Sequence, residues 1–95
     1  MTARTIPIAV FRLGRVVSTA NAIQSLTSDD ILNGIQRHQA GDWGEVAPAD
    51  WDANDRALTQ GGRIVSAYNA INGIRYWIIT EADRSVTTVL LPEDY

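Results

Sequence analysis

The chain has no cysteine and no lysine, a single histidine, and one methionine at position 1. Without cysteine there is no disulfide, no thiolate nucleophile and no zinc–thiolate site. That usage fits a reducing compartment, so a cytoplasmic location is expected. No apolar run is long enough to span a bilayer. The N-terminus lacks the basic start and apolar centre of a secretory signal, and no membrane partner is expected. All eight basic side chains are arginine. They form no dense basic stripe, so direct nucleic-acid binding is not expected. There is no GxGxxG, and Gly61-Gly62 lacks the following Lys-Ser/Thr of a phosphate-cradling loop. No cofactor is expected.

What is present is enough for one domain of 95 residues with a small core. Its size leaves room for self-association to add stability. The clearest pattern runs from Arg63 to Leu91 and predicts three short antiparallel strands. Ile64 to Tyr68 and Tyr76 to Thr80 are rich in β-branched and aromatic residues. Asn72-Gly73 between them suits a two-residue type I′ turn. Counting outward from that turn, Ile71 faces Ile74, Tyr68 faces Trp77, and Ala67 faces Ile78. Such pairs stabilise a sheet by roughly 0.2–1 kcal/mol each. A second turn falls at Ala82-Asp83-Arg84-Ser85, with Asp83 as its turn residue. Val86 to Leu91 is the third strand, ended by Pro92. The central strand is apolar on both faces, with Trp77 and Ile79 on one and Ile74, Tyr76 and Ile78 on the other. Helices cover only one face in so short a chain, so the second is a candidate partner or dimer surface.

The earlier part of the chain reads as helical. Residues 1–8 form an edge or a loose lead, broken by Pro7. Ala9 to Leu13 and Arg15 to Val17 flank Gly14, as one bent strand or a poor hairpin. Ser18 or Thr19 caps a short helix with Ala22, Ile23 and Leu26 inward. Thr27 or Ser28 caps a second, with Asp29 and Asp30 in its first turn and Ile31, Leu32 and Ile35 on its apolar face. Gly34 costs about 1 kcal/mol relative to alanine there, which suggests the close approach of another segment. Arg37 and His38 end this helix before Gly41. A tight Gly41-Asp42-Trp43-Gly44 loop follows. Pro48 then opens a third helix that runs to about Gln60. The fold class expected is α+β, with two or three helices on a three- to four-stranded antiparallel sheet.

Charge is unevenly placed. The net value is −3, and five acids (Asp42, Glu45, Asp50, Asp52 and Asp55) follow one another without a base between Asp42 and Asp55. Such polarity steers association with a charged partner; the plainer reading is a solvated face. His38 with Asp42 four residues on, or with Glu81, is the one candidate general base; the plainer reading is a helix-end hydrogen bond. Asp50, Asp52, Asp55, Glu81 and Asp83 match no metal-binding loop, so no metal site is assigned. Of the three tryptophans, Trp51 and Trp77 are expected in the core. Trp43, held between glycines, is expected at a surface or pocket. Arg84 is expected to pair with Glu81 or with an acid of the third helix.

Four blocks carry a family resemblance. They are Arg37-His38-Gln39-Ala40-Gly41-Asp42-Trp43-Gly44, Asn54-Asp55-Arg56-Ala57-Leu58, the stretch from Trp77 to Ser85, and Leu90-Leu91-Pro92-Glu93-Asp94-Tyr95. Over about residues 34–95 the chain resembles a family of small bacterial proteins carried on plasmids, phages and other mobile elements. The family brings no established catalytic residues to transfer. Its setting implies, by association alone, a counter-defence role of the anti-CRISPR or anti-restriction type.

The resulting expectation is a non-enzymatic protein that docks on a host protein or ribonucleoprotein defence complex and blocks it, sterically or as an acidic mimic. Asp42, Trp43, Glu45, Asp50, Asp52 and Asp55 are the expected partner-binding residues, with Tyr76 and Arg84 on a second surface. The alternatives are a small hydrolytic or nuclease-like enzyme using His38 with nearby carboxylates, and a homodimeric regulatory module.

Overall fold

The computed structural model describes residues 9–95; the expectation for residues 1–8 lies outside them. In chain order the elements are β1 (Arg15–Ser18), α1 (Ala20–Ser25), α2 (Ser28–Gln39), α3 (Pro48–Gln60), β2 (Ile64–Asn69), β3 (Arg75–Thr80) and β4 (Val86–Leu90), followed by a 3-10 turn, Pro92–Asp94. Among the described residues three helices pack with one four-stranded sheet of order β1-β4-β3-β2, an α+β fold. Among the described residues no helix is long and apolar enough to cross a membrane.

The β2-β3-β4 meander is antiparallel, and β1 joins its β4 edge in parallel. All three helices lie between β1 and the meander in sequence, and a parallel pair requires such a long crossover. Gly14 is therefore not a hairpin turn. It sits at φ +64°, where a Cβ would collide with the backbone of Arg84 and Ser85. That close approach lets Arg15 N–H donate to the Ser85 carbonyl at 3.0 Å.

The first hairpin differs from the expected register by one residue. Tyr68 faces Tyr76 and Ala67 faces Trp77. The loop has three residues, Ile71-Asn72-Gly73. Gly73 N–H donates to the Ala70 carbonyl and Ala70 N–H donates to the Ile74 carbonyl, both at 2.9 Å. Of the pair Asn72-Gly73 only the glycine takes positive φ, +85°, the single left-handed residue of a three-residue loop. Side chains alternate with period two, so this slip moves Tyr68 from the Trp77 face to the Tyr76 face. It also leaves Ile71 at the tip, 99% exposed.

Local signals set the helix starts. Thr19 caps α1, its hydroxyl accepting from Ala22 N–H at 3.1 Å. Thr27 caps α2 in a capping box, in which Thr27 and Asp30 each accept the other's backbone N–H. The face α2 presents to the sheet is not the aliphatic stripe. Asp30, Gly34 and His38, spaced four apart, are its buried residues. Ile31 and Ile35 flank this line half-buried, while Leu32 and, on α1, Ile23 point outward, 56% and 61% exposed. Gly34 is the reason: a Cβ there would lie 2.5 Å from Tyr76 Oη and 2.8 Å from its ring. The Tyr76 ring is buried, and its hydroxyl donates to the Asp30 carbonyl at 2.8 Å, so it has little freedom to withdraw. Gly34→Ala gains about 1 kcal/mol of helix propensity but overpacks this contact at a cost of about 1–3 kcal/mol. The expected outcome is a net loss of stability in urea unfolding; a gain would mean that Tyr76 yields.

The two remaining boundaries are also closed. β2 is an edge strand, but its outward backbone groups at Val65 and Ala67 are taken. Asn54 of α3 donates to the Val65 carbonyl at 2.8 Å and accepts from Val65 N–H at 3.2 Å. Ala67 N–H donates to the Trp43 carbonyl at 3.1 Å and its carbonyl accepts from Glu45 N–H at 2.7 Å. Covering an edge in this way blocks unwanted strand pairing. The second face of the sheet is partly closed by the C-terminal tail. Tyr95 meets the Trp77 ring edge-on at 5.7 Å. Asp94 anchors the tail by accepting from Thr19 Oγ1 at 2.7 Å, Asn21 Nδ2 at 2.6 Å and Leu91 N–H at 3.1 Å.

Candidate functional site

His38 comes from the last turn of α2 and is fully buried. Both ring nitrogens meet hydroxyls of the sheet: Nδ1 lies 2.5 Å from Ser66 Oγ and Nε2 2.9 Å from Thr80 Oγ1. Thr80 Oγ1 lies 2.7 Å from Thr87 Oγ1, which donates to the Leu13 carbonyl at 2.7 Å. A carbonyl only accepts, and this sets the direction of the whole chain. Thr87 spends its proton on Leu13, so Thr80 donates to Thr87. His38 Nε2–H then donates to Thr80, and Nδ1 accepts from Ser66. The imidazole is neutral and protonated at Nε2. Phe11 and Trp43 enclose it edge-on at 5.2 and 5.8 Å. Burial, with a smaller contribution from the Arg84 charge, pushes its pKa down to about 3.

The structure does not bring His38 together with the carboxylates expected beside it. Asp42 does not orient His38; it accepts from Arg37 Nε at 2.8 Å and Nη2 at 3.2 Å, and from Gly44 N–H at 3.1 Å. The Arg37 guanidinium holds the Asp42 carboxyl below the usual carboxylate range. Glu81 pairs with Arg63 at 3.4 Å. His38 has no nitrogen to offer a substrate and no path to one. The sequence does carry a signal for the network. Ser66, Thr80 and Thr87 are hydroxyls at inward positions of three neighbouring strands, and a buried hydroxyl needs a partner.

Other expected binding residues are also turned inward. Trp43 is fully buried, not at a surface, and its Nε1–H donates to Asp55 at 2.9 Å. Flanking Gly44 (φ +74°) puts its backbone against Ala67 and the Tyr68 ring, which drives Trp43 into the core with Ala57 and Ile64. Tyr76 is 1% exposed. Among the described residues Arg84 forms no ion pair with the Glu81 carboxylate or with an acid of α3, though it donates to the Glu81 backbone carbonyl at 3.2 Å. Its guanidinium donates to the Gly62 carbonyl at 2.6 Å and the Ala57 carbonyl at 2.9 Å, closing the end of α3. Asp83 is a turn residue, accepting from Ser85 N–H at 3.0 Å. Among the described residues no three His, Asp or Glu side chains converge to hold a metal ion.

Glu45, Asp50 and Asp52 remain outward, but not on one face. Asp52 lies beside Val46, Pro48 and Trp51. Glu45 and Asp50 rim a groove of about 450 Å³ between the N-terminal half of α3 and the outer face of β2 and β3. Ala53 and Asn54 form its helical wall, Val65, Ala67 and Trp77 its floor, and Arg63 and Arg75 also line it. Trp77, expected in the core, is half-buried and open to this groove: in the altered hairpin register its β2 neighbour is the small Ala67, while Leu90 flanks it on β4. Arg63 is satisfied by Glu81 and by Tyr95 Oη at 2.5 Å. Arg75 Nη2 donates to the Glu45 carbonyl at 3.1 Å. Among the described residues neither Glu45 nor Asp50 has an ion-pair partner. A second concavity of about 490 Å³, between α1 and α2, is lined by Ile23, Leu26, Ile31, Leu32 and Ile35, with Ser28 its one polar residue.

The motif blocks that carry the family resemblance therefore hold the fold together, through the Arg37–Asp42 pair, the buried His38 and Trp43, the Asn54 edge cap, the Arg84 clamp and the Asp94 anchor. No family model, no curated protein and no solved structure matches the chain.

Proposed function

We propose that this chain is a small non-enzymatic interaction protein of a mobile element, which acts in the cytoplasm by docking on a larger host defence complex of the CRISPR or restriction type and inhibiting it. The observation that supports docking is the groove beside α3: a half-buried tryptophan floor with charged rims, where aromatic and arginine side chains form the binding centres common to protein interfaces. The sequence resemblance to mobile-element proteins supports the defence-complex target. Steric blocking is favoured over acidic mimicry. Asp42 is spent on Arg37 and Asp55 on the Trp43 indole, and Asp50 and Asp52 point to different sides of α3.

The test uses Ala53→Arg, which drives a long side chain from the helical wall into the groove. Ala53 is exposed, so stability should change by no more than about 0.5 kcal/mol. Wild-type protein is titrated into purified CRISPR effector and type I restriction complexes while target DNA cleavage is followed. The expected result is inhibition of one complex, weakened about tenfold or more by Ala53→Arg and unchanged by Asp52→Asn. Equal inhibition by Ala53→Arg would remove the groove from the mechanism. Inhibition of none of the complexes would count against the defence target.

A further inference from the structure

The rim of the groove is electrostatically unbalanced in a way that selects its occupant. Of its two arginines, Arg63 is already neutralised by Glu81, at 3.4 Å, outside the groove, and its Nη1 donates to Tyr95 Oη. Among the described residues Arg75 is the one cation left at the groove, and it is directed at the backbone carbonyl of Glu45. Against it stand two carboxylates, Glu45 and Asp50, both exposed and without an ion-pair partner among the described residues. The floor between the rims is the half-buried Trp77 ring, with Val65 and Ala67. An aromatic face beside unpaired carboxylates is the arrangement that holds a guanidinium or ammonium group, by cation–π attraction and charge-assisted hydrogen bonds together. The neighbouring Arg63 already makes this kind of contact, its guanidinium carbon 5.5 Å from the Tyr95 ring centre.

We infer that the groove takes an extended protein segment that places an arginine or lysine side chain over Trp77, between Glu45 and Asp50. The small side chains of Ala47, Ala53 and Ala67 leave the width for a backbone to lie along the groove. The apolar stem of the basic residue covers Val65 and the tryptophan ring, and its charged head reaches the acidic rim. This rests on the groove being the docking surface. It adds that the recognised segment is basic, as are the nucleic-acid-facing loops of complexes that bind DNA or RNA.

The test uses the intact protein and capped pentapeptides of the form Ala-Val-X-Val-Ala, with X as arginine, citrulline or glutamate. Citrulline keeps the shape of arginine and removes the charge. Binding is followed through the Trp77 indole N–H resonance, assigned with Trp77→Phe. The arginine peptide is expected to shift that resonance saturably, with affinity about fivefold to tenfold above citrulline and no shift from glutamate. The Glu45→Gln/Asp50→Asn double variant, both sites being exposed, should fold normally and lose the preference for arginine over citrulline. Equal binding of arginine and citrulline, preference for glutamate, or no shift with any peptide each overturns the inference. The docking reading is judged separately: loss of inhibition by Ala53→Arg together with full inhibition by the double variant keeps the groove and rejects the basic occupant.

Discussion

Replacing His38 with alanine should lower stability by about 3–5 kcal/mol, the range for emptying a fully buried ring position, with the buried Ser66 hydroxyl left without its acceptor and Thr80 without its donor as a further cost. For a chain of this size that corresponds to a fall in Tm on the order of 20 °C. A catalytic surface histidine would show the opposite pattern, lost activity at an unchanged Tm. The same network predicts an acid sensitivity. In the unfolded chain the imidazole takes a proton near its ordinary pKa of 6.5, and in the fold only near about 3. Between those values the unfolded state binds more protons, so stability rises with pH, by up to about 1.4 kcal/mol per pH unit. The contribution is fully present above pH 6.5 and is lost as pH falls towards about 3. Because His38 is the only histidine, its ring resonances can be followed without ambiguity. They should stay flat down to about pH 4.5, as expected for so depressed a pKa. A titration midpoint near the ordinary value would mean that the ring is open to water and the hydroxyl chain is not formed.

Trp43→Ala is the second large effect. The ring is fully buried against Phe11, His38, Ala57 and Ile64, and removing it should cost about 3–5 kcal/mol. Trp43→Phe keeps most of the volume and loses the bond to Asp55. Asp55 is exposed and can turn to water, so a loss of only about 1–2 kcal/mol is expected. Fluorescence gives an independent reading. Trp43 supplies the blue-shifted, quencher-resistant emission, because Trp51 and Trp77 are only half-buried; that component should vanish in Trp43→Phe. A Trp43→Ala protein that melts like wild type but no longer binds its partner would place this ring on the surface after all.

The tryptophans show where sequence reading stops. The glycines around Trp43 point to a surface or pocket position for its ring. Yet Gly44 is there because the backbone must press against Ala67 and Tyr68, and that close approach seats the indole inside. Trp77 followed the opposite course. On a strand apolar on both faces, burial of each side depends on what lies above it, and what lies above Trp77 is an open groove and a single tyrosine from the tail.

Determinants that act between chain neighbours were legible in the sequence. The Thr19 and Thr27 caps, Pro48 at the head of α3, the Asp83 turn and the antiparallel meander each depend on residues within a few positions of one another. The α+β class follows from them. The tertiary structure alone decided the rest. Whether Asn72-Gly73 closes a two- or a three-residue loop changes which face Tyr68 occupies, and both loops satisfy the local preferences of the pair. The His38 contacts to Ser66 and Thr80 span 28 and 42 residues, and they exist only once register and helix packing have brought the three together. The parallel pairing of β1 with β4 and the groove beside α3 are likewise products of distant segments meeting. Their energies belong to packing and to buried hydrogen bonds between residues that carry no mark of one another along the chain.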